Sequence, residues 1–204
     1  MNKQIIIGLT TEGSTDIHFL EYIVKRTFET IASKECVCDI EIFDIQRIPK
    51  NTGENFVDTL KACASQADTL GISILCVHVD ADDSSDSQVF NHKINPAFTT
   101  INSLNQENIC NNLVAIVPIQ MTEAWMLVDT SLLKKELGTQ KSDQDLGLDR
   151  QPEMVADPKS VINDAIGKVR EGLPKRRRKD LQITDLYGIL GQTIKLQELE
   201  KLSS

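Results

Sequence analysis

The sequence predicts an α/β fold in which a mainly parallel, four-stranded sheet is flanked by helices and followed by a helical C-terminal segment. Short apolar runs suit buried strands, and apolar residues between them recur at helical spacing. Glycine and proline fall at the junctions. At 204 residues the chain is long for one core and short for two. We therefore expect a core at residues 1–130 and a helical extension at 131–204 that packs on it.

The first 120 residues alternate between strand and helix. Strands are predicted at residues 4–9, 38–42, 72–79 and 113–117, the third being the most apolar. Helices are predicted at 15–33 and 56–67, and Pro96 is expected to open another. Such alternation is typical of a parallel sheet with helices on both faces.

Beyond Gln120 the pattern becomes helical. Residues 123–128 form a short apolar helix, and Ser131 is expected to cap a helix that Gly138 ends. The polar stretch 139–151 is interpreted as a mobile connector. Asp157 and Pro158 then supply the N-cap and first position of a longer helix.

Composition excludes several classes of protein. The hydrophobic share is 40%, which argues against disorder, and the apolar runs are far shorter than the ~20 residues of a membrane helix. The start of the chain leads directly into a strand pattern, without signal-peptide features. Five cysteines without a Cys-x-x-Cys pair indicate buried thiols rather than disulfides or zinc ligands. We expect a soluble cytoplasmic protein.

Two acidic clusters follow predicted strands. Glu12 and Asp16 come after the first strand, and Asp80 and Asp82 after the third. Because parallel strands end at the same edge of a sheet, these side chains are expected to converge. Carboxylates in this arrangement suit Mg²⁺, with Mn²⁺ as a substitute, as one ion or two. The alternative is structural: Asp16 as a first-turn acid of a helix, and the Asp-rich loop as a solvated turn.

The same motifs resemble a known domain family. A strand followed by Glu12-Gly13-x-Thr15-Asp16 and a helix, and then Asp80-Ala81-Asp82, resembles the Rossmann-like TOPRIM (topoisomerase–primase) domain. Glu-Gly-x-Thr-Asp-x-x-Phe, ending here at Phe19, is similar to the branch that contains the OLD (overcoming lysogenization defect) nucleases. Glu-Ala-Trp, at residues 123–125, resembles a small bacterial TOPRIM family often encoded beside an ATPase.

The resemblance implies roles for individual residues. Glu12 would be a metal ligand or the general acid/base, and Asp80 and Asp82 would be ligands of Mg²⁺. Asp16 and Glu123 would either bind a second ion or hold the ligands of the first ion in place. For Glu123 the alternative is a partner of the dipole at the start of its helix. The resemblance also implies a place in a phage-defence system.

A basic stretch at residues 168–179 stands out because the net charge of the chain is −8. Its arginines and lysines suit the phosphate backbone of DNA or RNA. The alternative is an ordinary solvated stretch. The residues predicted to bind nucleic acid are Lys175, Arg176, Arg177, Arg178 and Lys179. Lys175 is also one candidate for the charge-stabilising lysine that the resemblance to OLD-type sites implies.

Two further residues are interpreted as structural. His78 lies within a predicted strand and is expected to be a buried, hydrogen-bonded histidine. Trp125 is expected to pack in the core. No Walker motif is present, so ATP hydrolysis by the chain itself is not expected.

These observations together predict a metal-dependent nuclease that cleaves phosphodiester bonds in DNA or RNA. The main alternative is a non-catalytic or partner-dependent TOPRIM-like module docked on an ATPase. A primase-like nucleotidyl transferase is a third hypothesis, made weaker by the lack of nucleotide-binding and zinc-ribbon elements.

Overall fold

A computed structural model describes residues 3–50, 55–104, 108–171 and 181–204. Contacts divide the chain into two compact units, Met1–Val79 with Asp86–Val117, and Asp80–Ser85 with Pro118–Ser204. The predicted division into a functional core at residues 1–130 and a helical extension at 131–204 remains untested.

The first unit carries the parallel sheet. Its strands and helices are β1 (Lys3–Ile5), β2 (Ile7–Thr10), α1 (Ile17–Glu35), β3 (Ile40–Ile42), β4 (Gln46–Arg47), α2 (Phe56–Thr69), β5 (Ile74–His78), α3 (Ser87–Val89), a π-helical turn (Phe90–Ile94), α4 (Asn95–Ser103) and β6 (Leu113–Ile116). Four parallel strands pair in the order β4-β2-β5-β6. The predicted α/β class, with a parallel sheet flanked by helices, is confirmed.

The two central strands of the sheet, β2 and β5, are almost entirely buried. All four residues of β2 are buried, as are residues 75–78 of β5, which is expected of central strands covered on both faces. The register places Leu9 opposite Cys76, and Cys76 opposite Val114.

Burial raises the pKa of the Cys76 thiol to about 12. Cys63 and Cys110 are also buried, whereas Cys36 and Cys38 are exposed, contrary to the expectation for all five.

The predicted second strand is placed differently. β3 pairs with β1 in a separate parallel pair, and the edge position beside β2 belongs to β4. β4 has only two residues, both polar and exposed, so it offers no hydrophobic alternation that a sequence pattern could reveal.

The second unit is helical. Its elements are α5 (Thr122–Met126), α6 (Thr130–Leu137), α7 (Asp143–Leu146), a 3₁₀ turn (Pro152–Met154), α8 (Pro158–Glu171), α9 (Thr184–Thr193) and α10 (Leu196–Leu199). Helix α5 packs on α8, α9 and the 3₁₀ turn. The core of this unit includes the buried side chains of Met126, Leu133 and Ile162.

Two local expectations in this unit are wrong. The N-cap of α6 is Asp129, whose side chain accepts the Leu132 N–H, so Ser131 is not the cap. The stretch 139–151 is not a structureless connector, because it contains α7 with a reciprocal capping box between Ser142 and Asp145. The Asp157 cap of α8 is confirmed by its bond from the Ser160 N–H at 2.8 Å.

Candidate metal centre

The loop after β2 is shaped by hydrogen bonds between near neighbours. Thr11 Oγ1 donates to the Gly13 carbonyl at 2.7 Å, and the Gly13 N–H donates to Asp16 Oδ2 at 2.9 Å. Asp16 is the residue before α1, yet its side chain makes no cap bond to that helix. Its carboxylate instead turns back onto the loop and is buried, with 5% of its surface exposed. The loop therefore fixes where this carboxylate lies.

Gly13 is required by the same arrangement. A Cβ atom at this position would lie 2.6 Å from Asp16 Oδ2, which is closer than real Cβ contacts. The φ angle of Gly13 is outside the left-handed region, so the constraint is one of space and not of backbone conformation. A glycine thus allows the carboxylate of Asp16 to lie against the loop.

His78 ends β5 and is completely buried. Its Nδ1 accepts the Glu12 N–H at 3.4 Å and lies 3.7 Å from Asp16 Oδ2. A backbone N–H can only donate, so the Nδ1 lone pair is engaged by Glu12 here, and an ion bound to this nitrogen would displace that N–H. The prediction of a buried, hydrogen-bonded histidine is confirmed. The contact also joins the end of β5 to the loop after β2.

Asp80 lies two residues beyond His78, the last residue of β5. Its side chain is half-buried. Oδ1 accepts the Thr122 N–H at 2.9 Å and contacts Thr122 Oγ1 at 3.3 Å. Thr122 is itself buried, so two fixed donors orient the Asp80 carboxylate.

Asp16, His78 and Asp80 form a group that could hold a metal ion. Each offers one ligand atom, and the three atoms lie within 4.8 Å of one another. Within the described part of the chain, it is the only such group of three or more histidine, cysteine or acidic side chains. Its position follows from the end of one strand and the start of one helix. Two carboxylates and an imidazole are ligands for a divalent cation, whose identity the geometry leaves open.

The structure places the other predicted ligands outside this group. Glu12 is exposed, and its backbone, not its carboxylate, contacts His78. Asp82 is also exposed and has φ 52°. The extended geometry that would align the side chains of Asp80 and Asp82 therefore ends before Asp82. Residues two positions apart do share a site here, but they are His78 and Asp80 rather than Asp80 and Asp82.

Glu123 lies in a different environment, inside the second unit. It is 4% exposed and accepts a hydrogen bond from the hydroxyl of Tyr187 on α9. Lys159 Nζ on α8 lies 3.6 Å from the same oxygen, Oε1. Glu123 thus links three helices of this unit.

A cleft of about 310 Å³ adjoins the loop after β2. Residues 11–14 form one wall and residues 47–50 another, and Leu9 and Ile17 add apolar surface. Burial lowers the pKa of the Lys50 ammonium, and the negative charges of Glu12 and Asp16 act in the opposite direction. The cleft therefore combines a half-buried cation with an exposed carboxylate.

The five basic residues predicted to bind nucleic acid, at positions 175–179, lie outside the described residues. No described helix has the length and hydropathy needed to cross a membrane. Comparisons with protein-family models, with curated proteins and with solved structures find no match.

Proposed function

We propose that this protein is a metal-dependent nuclease that hydrolyses phosphodiester bonds in DNA or RNA. The observation that carries the proposal is the group of Asp16, His78 and Asp80 beside the ends of parallel strands. Ligands of α/β proteins commonly bind at this edge of the sheet. Two carboxylates held this close repel each other unless a cation or a proton compensates them. The resemblance of the sequence motifs to those of TOPRIM domains supports the same chemistry.

The donor set favours Mn²⁺ over Mg²⁺, although either would serve the reaction. Mg²⁺ prefers oxygen ligands and retains its waters, whereas an imidazole suits the first-row transition metals. Asp16 and Asp80 are pre-oriented by N–H donors from Gly13 and Thr122. Such supporting bonds are what keep metal ligands in place.

The bound ion would polarise the phosphate and lower the pKa of a water molecule. Glu12 is exposed and lines the cleft, and we assign to it the acceptance of a proton from the attacking water. Asp16 and Asp80 would anchor the ion and take no part in proton transfer. The basic run at residues 175–179 would hold the strand through its phosphates, with little sequence preference.

The test is cleavage of labelled single- and double-stranded DNA and RNA by the purified chain with Mn²⁺ or Mg²⁺. Asp80→Asn keeps the shape of the side chain and removes its charge, so activity should fall about 100-fold or more. Asp83→Asn is the matched control, because Asp83 is an exposed acid three positions away. Its carboxylate accepts a hydrogen bond from the Ser84 N–H. This control should retain activity.

Cleavage that persists in Asp80→Asn and in chelator would refute the proposal. Mn²⁺ binding without cleavage by the isolated chain would favour the alternative, a cation-binding module that depends on an ATPase partner. Size-exclusion chromatography with the product of the neighbouring gene would then test for that partner.

A further inference from the structure

The cleft beside the loop after β2 has a fixed position in the sheet. β4 pairs with β2 in parallel, and the Ile48 N–H continues the ladder by donating to the Leu9 carbonyl at 2.9 Å. Residues 49–50 therefore leave the sheet at the same edge as residues 11–14. Ligand pockets in proteins commonly begin at about 300 Å³, so the cleft is large enough for a phosphate with part of its sugar.

The two basic side chains of the cleft differ in how they are neutralised. Arg47 makes contacts of 2.8 and 3.0 Å with both carboxylate oxygens of Glu21, so its charge is already compensated. Lys50 is half-buried, and none of the ion pairs described for this chain includes it, although the charges of Glu12 and Asp16 act on its ammonium. A partly desolvated cation that forms no described ion pair can still gain from a direct contact with an anionic ligand.

The loop that forms one wall of the cleft also belongs to the candidate metal centre. Glu12 lines the cleft and donates its N–H to His78, and Gly13 lines the cleft and donates its N–H to Asp16. A group bound in the cleft would thus lie against the loop that positions two of the three metal ligands.

We propose that this cleft binds a phosphate group of a nucleic-acid strand and that Lys50 supplies the positive charge that holds it. The inference rests on the proposed function, because it gives the nuclease a place for the phosphate beside the metal. It makes Lys50 a substrate-binding residue, separate from the basic run at 175–179.

The test is binding of a fluorescein-labelled twelve-nucleotide thymidine strand, measured by fluorescence polarisation in EDTA at several salt concentrations. Lys50→Met keeps the aliphatic stem and removes the charge. Its affinity should fall about tenfold, and the slope of log K against log salt should become shallower by about 0.7, as expected for one lost phosphate contact. Lys50→Arg should retain most of the affinity.

Lys61→Met is the matched control, since Lys61 is an exposed lysine on α2 of the same unit. Its affinity should stay within about twofold of the wild type and its salt slope should not change. Equal losses in the Lys50 and Lys61 variants, or no binding by the wild type, would overturn the inference. Circular dichroism establishes that each variant is folded, and Lys50→Gln replaces Lys50→Met if that one is not.

Mn²⁺ binding is measured in parallel on the wild type and on Lys50→Met. Both should bind the ion equally, because Lys50 is not one of the proposed ligands. Failure of the wild type to bind Mn²⁺ would overturn the proposed metal chemistry. The loss of strand affinity, measured without metal, would still decide for or against the cleft.

Discussion

Replacing Gly13 by alanine tests the candidate metal centre without removing any proposed ligand. The added Cβ would lie 2.6 Å from Asp16 Oδ2, whereas ordinary contacts begin at 3.4 Å. The backbone of Gly13 has a φ that alanine can adopt, and the clashing atom is the end of a side chain. The variant should therefore fold, and the carboxylate of Asp16 should move by several tenths of an ångström.

The magnitude follows from how little a metal ligand can move. Distances between a metal and its ligands vary by about 0.2 Å, so the displacement of Asp16 exceeds what coordination tolerates. Disturbing a residue that supports a ligand costs roughly 10- to 100-fold in metal affinity. We expect a loss in this range for Gly13→Ala, or about 1.4–2.8 kcal/mol of binding free energy.

The assay is a Mn²⁺ titration followed by electron paramagnetic resonance, in which the free aquo ion gives the signal that binding removes. Gly167→Ala is the control, because Gly167 lies inside α8 and a Cβ there would meet nothing within 4 Å. That variant should keep the Mn²⁺ affinity and gain about 0.5–1 kcal/mol of stability. If Gly13→Ala bound Mn²⁺ as the wild type does, Asp16 would not be a ligand.

The remaining predictions concern stability and reactivity. Tyr187→Phe removes the hydroxyl that donates to the buried carboxylate of Glu123, so it should lower the free energy of unfolding by about 1–3 kcal/mol in urea titrations. An unchanged midpoint would contradict this role. Cys36 and Cys38 are exposed and should react with a thiol reagent in the native protein, whereas Cys76 should react only after unfolding. Since burial raises the folded pKa of Cys76 from 9.0 to about 12, its contribution to stability is complete below pH 9. That contribution should be lost as the pH rises towards 12, and Cys76→Ala should show a weaker alkaline loss.

The buried parts of the fold could be predicted from the sequence because burial leaves a pattern. Strand β5 is an apolar run up to its last residue, His78, and α2 shows its buried face as Leu60, Cys63, Ala64 and Ala67. β4 could not be predicted in this way, because a two-residue polar edge strand exists only through its pairing with β2. Helix α7 was missed because its stability is local, in a capping box, and its sequence is mostly polar.

The sequence placed the acidic clusters at strand ends but could not tell which side chains meet. Asp16 and Asp80 were among the predicted ligands, and both belong to the metal-capable group. Asp82 does not, because its left-handed backbone is a property of the turn and not of the sequence spacing. For His78, the sequence alone predicts only a structural role. Its position two residues before Asp80, at a strand end, is the signal that could have included it.

The loop after β2 explains why residues far apart in the sequence can act together. Gly13 has no side chain, which leaves space for the carboxylate of Asp16, and Glu12 donates its N–H to His78. The same stretch is one wall of the cleft that contains Lys50. A structural cation would need the ligands but not the cleft, whereas hydrolysis needs a bound phosphate beside the ion. Gly13→Ala should therefore weaken Mn²⁺ binding under either function, but Lys50→Met should impair cleavage only if the protein is a nuclease.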